Sequence, residues 1–518
     1  MQAWPKYPFI YEINTFVWLN ELSEKYKRAV SLGSVPKEEW DYLESFGFDA
    51  VWFMGIWERS PAGIKIASAN NGLMSEFRKV LPDFQDKDLV GSAYCVKSYV
   101  VDRKLGGPEG LAHARDMLAK RGIRLILDFV PNHVAPDHPW ASSHPENFIR
   151  GSEEDLRNDP SSFIRIGKNV IALGRDPYFP AWPDVLQLNA FSRDLRKTVL
   201  ETVSEIADQC DGIRCDMAML MMNKIFERTW GARAGQKPSD DYWSTLIPAI
   251  KSRSPGFLFI AEAYWDLEWE LQQQGFDFCY DKKLYDRMEH NGAEAVRQHL
   301  LADMAYQDRL IRFIENHDEP RAASSFSCEK EKMAGVAFST LPGARLFHEG
   351  QFEGRKARVP VFLGRRPSEG AGKSNVGFPA CESDSVRNDQ VTISGNDKSC
   401  DIKSFYLNLM SQIGKDVFRN GSWQSCEIRG WADNNSCQNL LAWTWRKDDF
   451  KYLIIVNFSD SIAQGMVRLQ WDDICGKVLR LTDSMNGEKY ERLGSEMVDN
   501  GLYADLRPWS CHFFRIET

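Results

Sequence analysis

The stretch "CDGIRCDMAM", Cys210 to Met219, decides how this chain is read. Its short apolar run delivers Arg214 and Asp216 two residues apart, a spacing that puts both side chains on one face of a strand. A guanidinium beside a carboxylate favours the charged form, so Asp216 is expected to stay ionised at neutral pH and to serve as a ready nucleophile. A plain salt bridge at a strand end is commoner than a catalytic pair. Three other stretches shift the balance, because each is a strand-like run that also ends in an acid.

These are "RLILDFVPNH", with Asp128, Asn132 and His133; "FLFIAEAYW", with Glu262; and "RLIRFIENHD", with His317 and Asp318. Each is too short for a typical helix and carries a polar cluster at its C-terminal end. In a parallel (β/α)8 barrel those ends converge on the face that carries the chemistry. The ordered set of four resembles the four conserved regions of the α-amylase family of glycoside hydrolases (glycoside hydrolase family 13), and the likeness covers nearly the whole chain. The resemblance implies an α/β fold. It is a (β/α)8 TIM barrel, with an irregular domain inserted after strand three and an all-β sandwich domain at the C-terminus. The boundaries expected are 1–133 and 191–418 for the barrel, 134–190 for the insertion and 419–518 for the sandwich.

The totals agree with several domains, since 518 residues exceed what one hydrophobic core supports. With 43% hydrophobic and 26% charged residues the chain is globular, and a net charge of -9 argues against general affinity for nucleic acid or anionic membrane. A neutral partner is expected. "MQAWPKYPFIYEINTF" lacks the features of a secretory signal, and no stretch reaches the roughly 18 apolar residues of a membrane span, so a cytoplasmic location is expected. The 11 cysteines, without a CxxC pair, suit reduced and mostly buried thiols; Cys210 and Cys215 read as small core residues.

In chain order, "FIYEINTFVW" (Phe9 to Trp18) and "FDAVWFMGIW" read as strands one and two, with a helix from Pro36 to Phe46 between them. A long active-site loop, Glu58 to Asp102, contains "GSAYCVKSYVVD". The second helix carries Leu111, Ala114 and Leu118, with Gly122 past its end, and leads to strand three, Arg124 to Val130. Periodicity is then lost until Ser192, which caps a helix with the stripe Leu195, Val199, Val203 and Ile206. Later strands are expected at Phe257 to Glu262, Phe276 to Asp281, Arg309 to Asn316 and Ala344 to Gly350, and a last barrel helix around Ile402 to Ile413. Gly364 to Cys400 reads as a polar loop. Alternation at Tyr452, Ile454, Val456 and Phe458, with a hairpin signal at Asn486-Gly487, marks the β domain.

The resemblance also assigns roles. Asp216 matches the nucleophile and Glu262 the general acid and base of a retaining glycosidase, and Asp318 the third acid, which binds sugar hydroxyls. Glu262 ends an apolar strand, and its surroundings are expected to raise its pKa. Tyr94 matches a tyrosine under the sugar ring, His133 and His317 match hydroxyl-binding histidines, and Asp128 matches an acid that organises the site through Arg214. "WPDVLQLN", Trp182 to Asn189, resembles a further short motif at the end of the insertion.

Departures bear on the substrate. Where α-amylases acting inside starch typically carry Lys and His, three and four residues past the nucleophile, this chain has Met219 and Leu220. That weakens the case for cleavage inside starch and favours action on short α-glucosides or transfer of the glucosyl unit. No cofactor is required for the chemistry, and calcium is left open, because Asn132 is present but the histidine is not. Arg355, Lys356, Arg358, Arg365 and Arg366 follow strand eight; they read as a solvated charge run or as a site for a phosphate-bearing acceptor. The reading is a retaining α-glucoside hydrolase on an oligosaccharide substrate. Its alternatives are a transglycosylase or phosphorylase on the same scaffold, and an inactive carbohydrate-binding subunit, which would have lost an acid.

Overall fold

The computed structural model describes residues 3–369 and 401–517, so the stretch read as a polar loop lies outside the described residues from 370 to 400. Eight parallel strands close into a barrel: β1 (Phe9–Asn14), β2 (Ala50–Met54), β3 (Arg124–Phe129), β4 (Gly212–Cys215), β5 (Leu258–Ala261), β6 (Phe278–Tyr280), β7 (Leu310–Arg312) and β8 (Ala344–His348). They run in the order β1-β8-β7-β6-β5-β4-β3-β2. Every residue of these strands is buried, because helices cover the outer face and side chains fill the inside, which explains apolar runs without alternation. Gly212 is required by this packing. A Cβ there would meet the Leu258 carbonyl oxygen at 2.9 Å, so glycine lets β4 and β5 approach.

The register places the chemistry. Arg214 pairs with Asp128 on one side and Ile260 on the other, so the acids that follow these strands emerge at one end of the barrel. The first strand is shorter than expected. Asn14 accepts a hydrogen bond from the Val17 N–H and starts a helix over Thr15–Tyr26, so "TFVW" is helical although its composition suits a strand. Trp57, read as the end of strand two, instead opens a short antiparallel ribbon, Trp57–Arg59 with Val96–Val101. The Ser192 cap holds as read, its side chain accepting from the Leu195 N–H at the head of Arg193–Ala207.

Between β3 and β4 lie two small ribbons, His133–Val134 with Leu186–Gln187 and Phe163–Ile166 with Asn169–Ala172, joined by short helices. After the helix Ile402–Ile413 the chain is mainly β, with a six-stranded antiparallel sheet and a three-stranded sheet. Strand Phe450–Asn457 is buried on both faces. Leu453 and Ile455 enter the core between the sheets, while Tyr452, Ile454 and Val456 join the main core with the barrel. Trp445 seals the junction by donating its ring N–H to the Thr340 carbonyl at 2.6 Å. Gly487, at φ +79°, supplies the turn between the strands Val478–Asp483 and Lys489–Leu493.

Eight described cysteines are free, and Cys95, Cys210, Cys215 and Cys279 are buried among them. Cys328 is disulfide-bonded, which corrects the expectation of uniformly reduced thiols. Among the described residues no helix is long and apolar enough to cross a membrane.

Candidate active site

Arg214 is the centre of the site. It is 0% exposed, and four carboxyl groups share its guanidinium. Nη1 donates to Asp216 Oδ1 at 2.7 Å, Nη2 lies 2.8 Å from Glu262 Oε2, and Asp128 and Asp318 stand at 3.9 Å. The rings of Trp52, Tyr94 and Tyr280 face the cation at 5.2 to 5.6 Å, and the Tyr280 hydroxyl accepts from Nε at 3.3 Å. Asp128, Asp216 and Glu262 are buried around this one cation, and burial raises all three carboxyls against it.

Burial pushes the Glu262 carboxyl up to about 7, Arg214 opposes that, and the charges of Asp216 and Asp318 add to it. Its Oε2 accepts the Met217 N–H at 2.6 Å and lies 2.8 Å from Arg214 Nη2, while its Oε1 accepts from the Tyr264 hydroxyl at 2.8 Å. Burial raises the Asp216 carboxyl from its ordinary value, and the Arg214 guanidinium beside it offsets part of that rise.

Asp318 is the open acid, its side chain 40% exposed against 8% for Asp216 and 4% for Glu262. Its carboxyl is lowered to about 2: burial works against this, but His317, with Nε2 2.9 Å away, outweighs it. His317 bridges Asp318 and Glu12, pairing with Glu12 through Nδ1, and these two carboxylates hold its pKa well above the usual value despite burial. The Tyr94 hydroxyl lies 2.7 Å from the same Nε2. Tyr94, His317, Asp318 and Arg214 therefore form one wall, with Asp216 and Glu262 beside it.

Asp128 accepts the Gly55 N–H at 2.8 Å and sits under Arg214, where burial raises its carboxyl. His133 is buried against the Tyr94 backbone and the Trp182 ring; burial lowers it to about 4, so it is neutral. Glu12 was missed by sequence reasoning. A lone acid inside "FIYEIN" was the available signal, since a barrel strand has no solvent face to accept it. Tyr280 and Tyr264 gave no such signal.

Backbone strain follows both acids. Met217 has φ +43°, and Trp265 and Asp266 have φ +64° and +58°, conformations that cost non-glycine residues about 1–3 kcal/mol and collect at functional sites. The second turn sets Trp265 edge-on to Tyr178 of the insertion at 4.8 Å, beside exposed Phe179. Met219 and Leu220 are buried in a short 3₁₀ turn, Ala218–Met221, and present no polar group.

A calcium ion does not fit beside Asn132. The carbonyl oxygen and Oδ1 of Asn132 and the Leu188 carbonyl converge at 3.0, 2.9 and 2.9 Å on one atom, Gln187 Nε2. That amide is a donor, so oxygens that would face a cation face N–H groups instead. The basic residues after β8 are corrected as well. Arg365 pairs with Asp83 and Asp88, Arg366 with Glu21 and Glu349, Arg355 with Glu21 and Arg358 with Glu76, so these four arginines are ion-paired, while Lys356 is exposed.

The family profile described as "Alpha amylase, catalytic domain" matches residues 37–161. The chain is 23% identical over 374 residues to the α-amylase MalA of Haloarcula japonica, covering 69% of this chain and 45% of that one. It is 23% identical over 271 residues to α-amylase 3 of Dictyoglomus thermophilum, covering 48% and 50%. It thus spans about half the length of these relatives. Two solved structures share the fold over almost their whole length. A noncanonic maltogenic α-amylase, AmyB, from Thermotoga neapolitana has a TM-score of 0.66 at 17% identity, with 99% of each chain covered. An α-amylase from Geobacillus thermoleovorans has 0.64 at 15%, with 100% of each covered. The barrel, the profile over residues 37–161 and these relatives all point to a likeness with the α-amylase family of glycoside hydrolases.

Proposed function

We propose that the protein is a retaining α-glucoside hydrolase acting on maltooligosaccharides or short α-glucosides. The observation that carries this is the sharing of Arg214 by Asp216 and Glu262 through adjacent nitrogens. Two carboxyl groups held on one guanidinium suit the roughly 5–5.5 Å separation at which one attacks the anomeric carbon and the other protonates the leaving oxygen. Asp216, with its direct hydrogen bond from Arg214, is the nucleophile. Glu262, with a pKa pushed up to about 7, keeps its proton for the leaving group and then takes one from water. The attack forms a glycosyl ester on Asp216 as the glycosidic C–O bond breaks; water then cleaves the ester. Asp318 and His317 accept and donate hydrogen bonds to the hydroxyls of the same ring, and Tyr94 lies beneath its apolar face. No metal enters these steps. The oligomeric state has no part in this reading, and neither nucleic acid nor membrane does.

A second reading is transfer to a sugar acceptor, favoured by the exposed rings of Tyr178 and Phe179 beside Trp265, just past the general acid. Phosphate as acceptor is disfavoured by the paired arginines. Following anomeric protons by NMR during incubation with maltooligosaccharides, with and without phosphate, separates these. Hydrolysis with retention gives the α-anomer first. A β-anomer first would remove the covalent route, and new oligosaccharides would establish transfer.

A further inference from the structure

The segments after β2 and β8 meet above β1 and are joined between residues 71–93 and 359–365. The helix Asn71–Val80 and residues 359–364 share an apolar cluster of Met74, Phe77, Leu81, Leu89 and Leu363, with the rings of Phe77 and Phe362 at 5.5 Å. Backbone bonds run from the N–H groups of Val90 and Ala93 to the carbonyls of Phe362 and Val361, at 2.9 and 3.3 Å, and from the Gly364 N–H to the Asp88 carbonyl at 2.9 Å. Arg365 then donates to both oxygens of Asp88 at 2.8 Å. This is a folded wall rather than two independent loops, and it continues directly into Tyr94.

Its position follows from the barrel order. β1 lies four strands from β5 in either direction, so the wall stands opposite the strand that delivers Glu262. The general acid marks the side on which the leaving sugar departs, so the wall stands on the other side of the ring held at Tyr94 and Asp318. There Arg358 donates to the Asp318 carbonyl at 3.0 Å and to Glu76 at 3.2 Å, linking both loops across the mouth while its side chain stays 44% exposed.

Resting on the hydrolase reading, we propose that this wall closes the cleft at the non-reducing side, so that the enzyme releases units from chain ends. Arg358 is the specificity-determining residue that meets the terminal hydroxyls where a longer chain would continue. A 1,4-linked glucan presents a free 4-hydroxyl only at that end, and a guanidinium fixed by two acceptors still has N–H groups to offer it. A chain that continued would displace the Arg358–Glu76 bridge.

The test compares 4-nitrophenyl maltoheptaoside with the same substrate carrying a 4,6-ethylidene block on its non-reducing end. The protein as it stands should prefer the free end by about 100-fold or more in kcat/KM. The double variant Glu76→Ala with Arg358→Ala should narrow that preference by about tenfold, by losing rate on the free substrate and gaining it on the blocked one. Equal cleavage of both substrates by the unaltered protein overturns the closed end and leaves the hydrolase reading intact. A preference that the double variant leaves unchanged removes Arg358 from the assignment. Failure to cleave either substrate, maltose or isomaltose overturns the hydrolase reading itself.

Discussion

Glu262→Gln should make the protein more stable as it destroys activity, and only above a definite pH. The carboxyl is 3% exposed and its pKa is pushed from 4.5 to about 7, so the folded chain keeps a proton that the unfolded chain has released throughout that interval. Because the folded pKa is the higher one, stability is unaffected below about pH 4.5 and declines as pH rises to about 7. Each pH unit is worth about 1.4 kcal/mol, which makes the loss roughly 3 kcal/mol at its largest. Glutamine copies the protonated acid without titrating, and Arg214 keeps its 2.7 Å hydrogen bond to Asp216, so no buried cation is left alone. Urea or thermal unfolding of both proteins at pH 4.5, 6 and 8 should give curves that coincide at the lowest pH, with the variant ahead by up to about 3 kcal/mol at the highest. A variant less stable at pH 8, or one differing equally at all three values, would refute the claim that burial stores this cost on Glu262.

The same proton sets a kinetic limit. In kcat/KM against pH, an alkaline limb should fall tenfold per unit above about 7, and a limb displaced to 9 would take Glu262 out of the acid role. Asp216→Asn should lower turnover by roughly a thousandfold or more with the circular dichroism spectrum unchanged, since the ester can no longer form but the packing is kept. Near-normal turnover would mean a different nucleophile. Dialysis against EDTA should leave the unfolding midpoint and the activity where they were, because Gln187 Nε2 occupies the convergence of oxygens at Asn132; a fall reversed by calcium would contradict that.

The barrel was legible because its strands are buried on both faces and end in chemistry-bearing residues, so apolar runs and polar ends recur together. Ser192 was legible for a local reason, a side-chain cap three residues before Leu195. What escaped depended on contacts between distant segments. Nothing within "FIYEINTFVW" says that Asn14 turns back to cap a helix, or that Glu12 meets a histidine 305 residues later. The proximity of Arg214 to Asp216 was readable from spacing, but its effect on the acid was not. Burial raises the acid against the guanidinium, and burial belongs to the folded barrel rather than to the spacing. The arginines after β8 looked like free charge for the same reason, since their partners Glu21, Glu76, Asp83 and Asp88 come from segments more than 250 residues earlier. Strand Phe450–Asn457 showed alternation yet is covered on both sides, because the second face meets the barrel.

The assignment of Asp216 and Glu262 to two nitrogens of Arg214 stands or falls most directly on trapping the covalent species. A 5-fluoro-α-glucosyl fluoride should inactivate the protein with time, and peptide mass spectrometry should find one glucosyl unit esterified to Asp216. A label on any other carboxylate, or rapid turnover of α-glucosides with no trapped ester and an inverted product, would contradict the account.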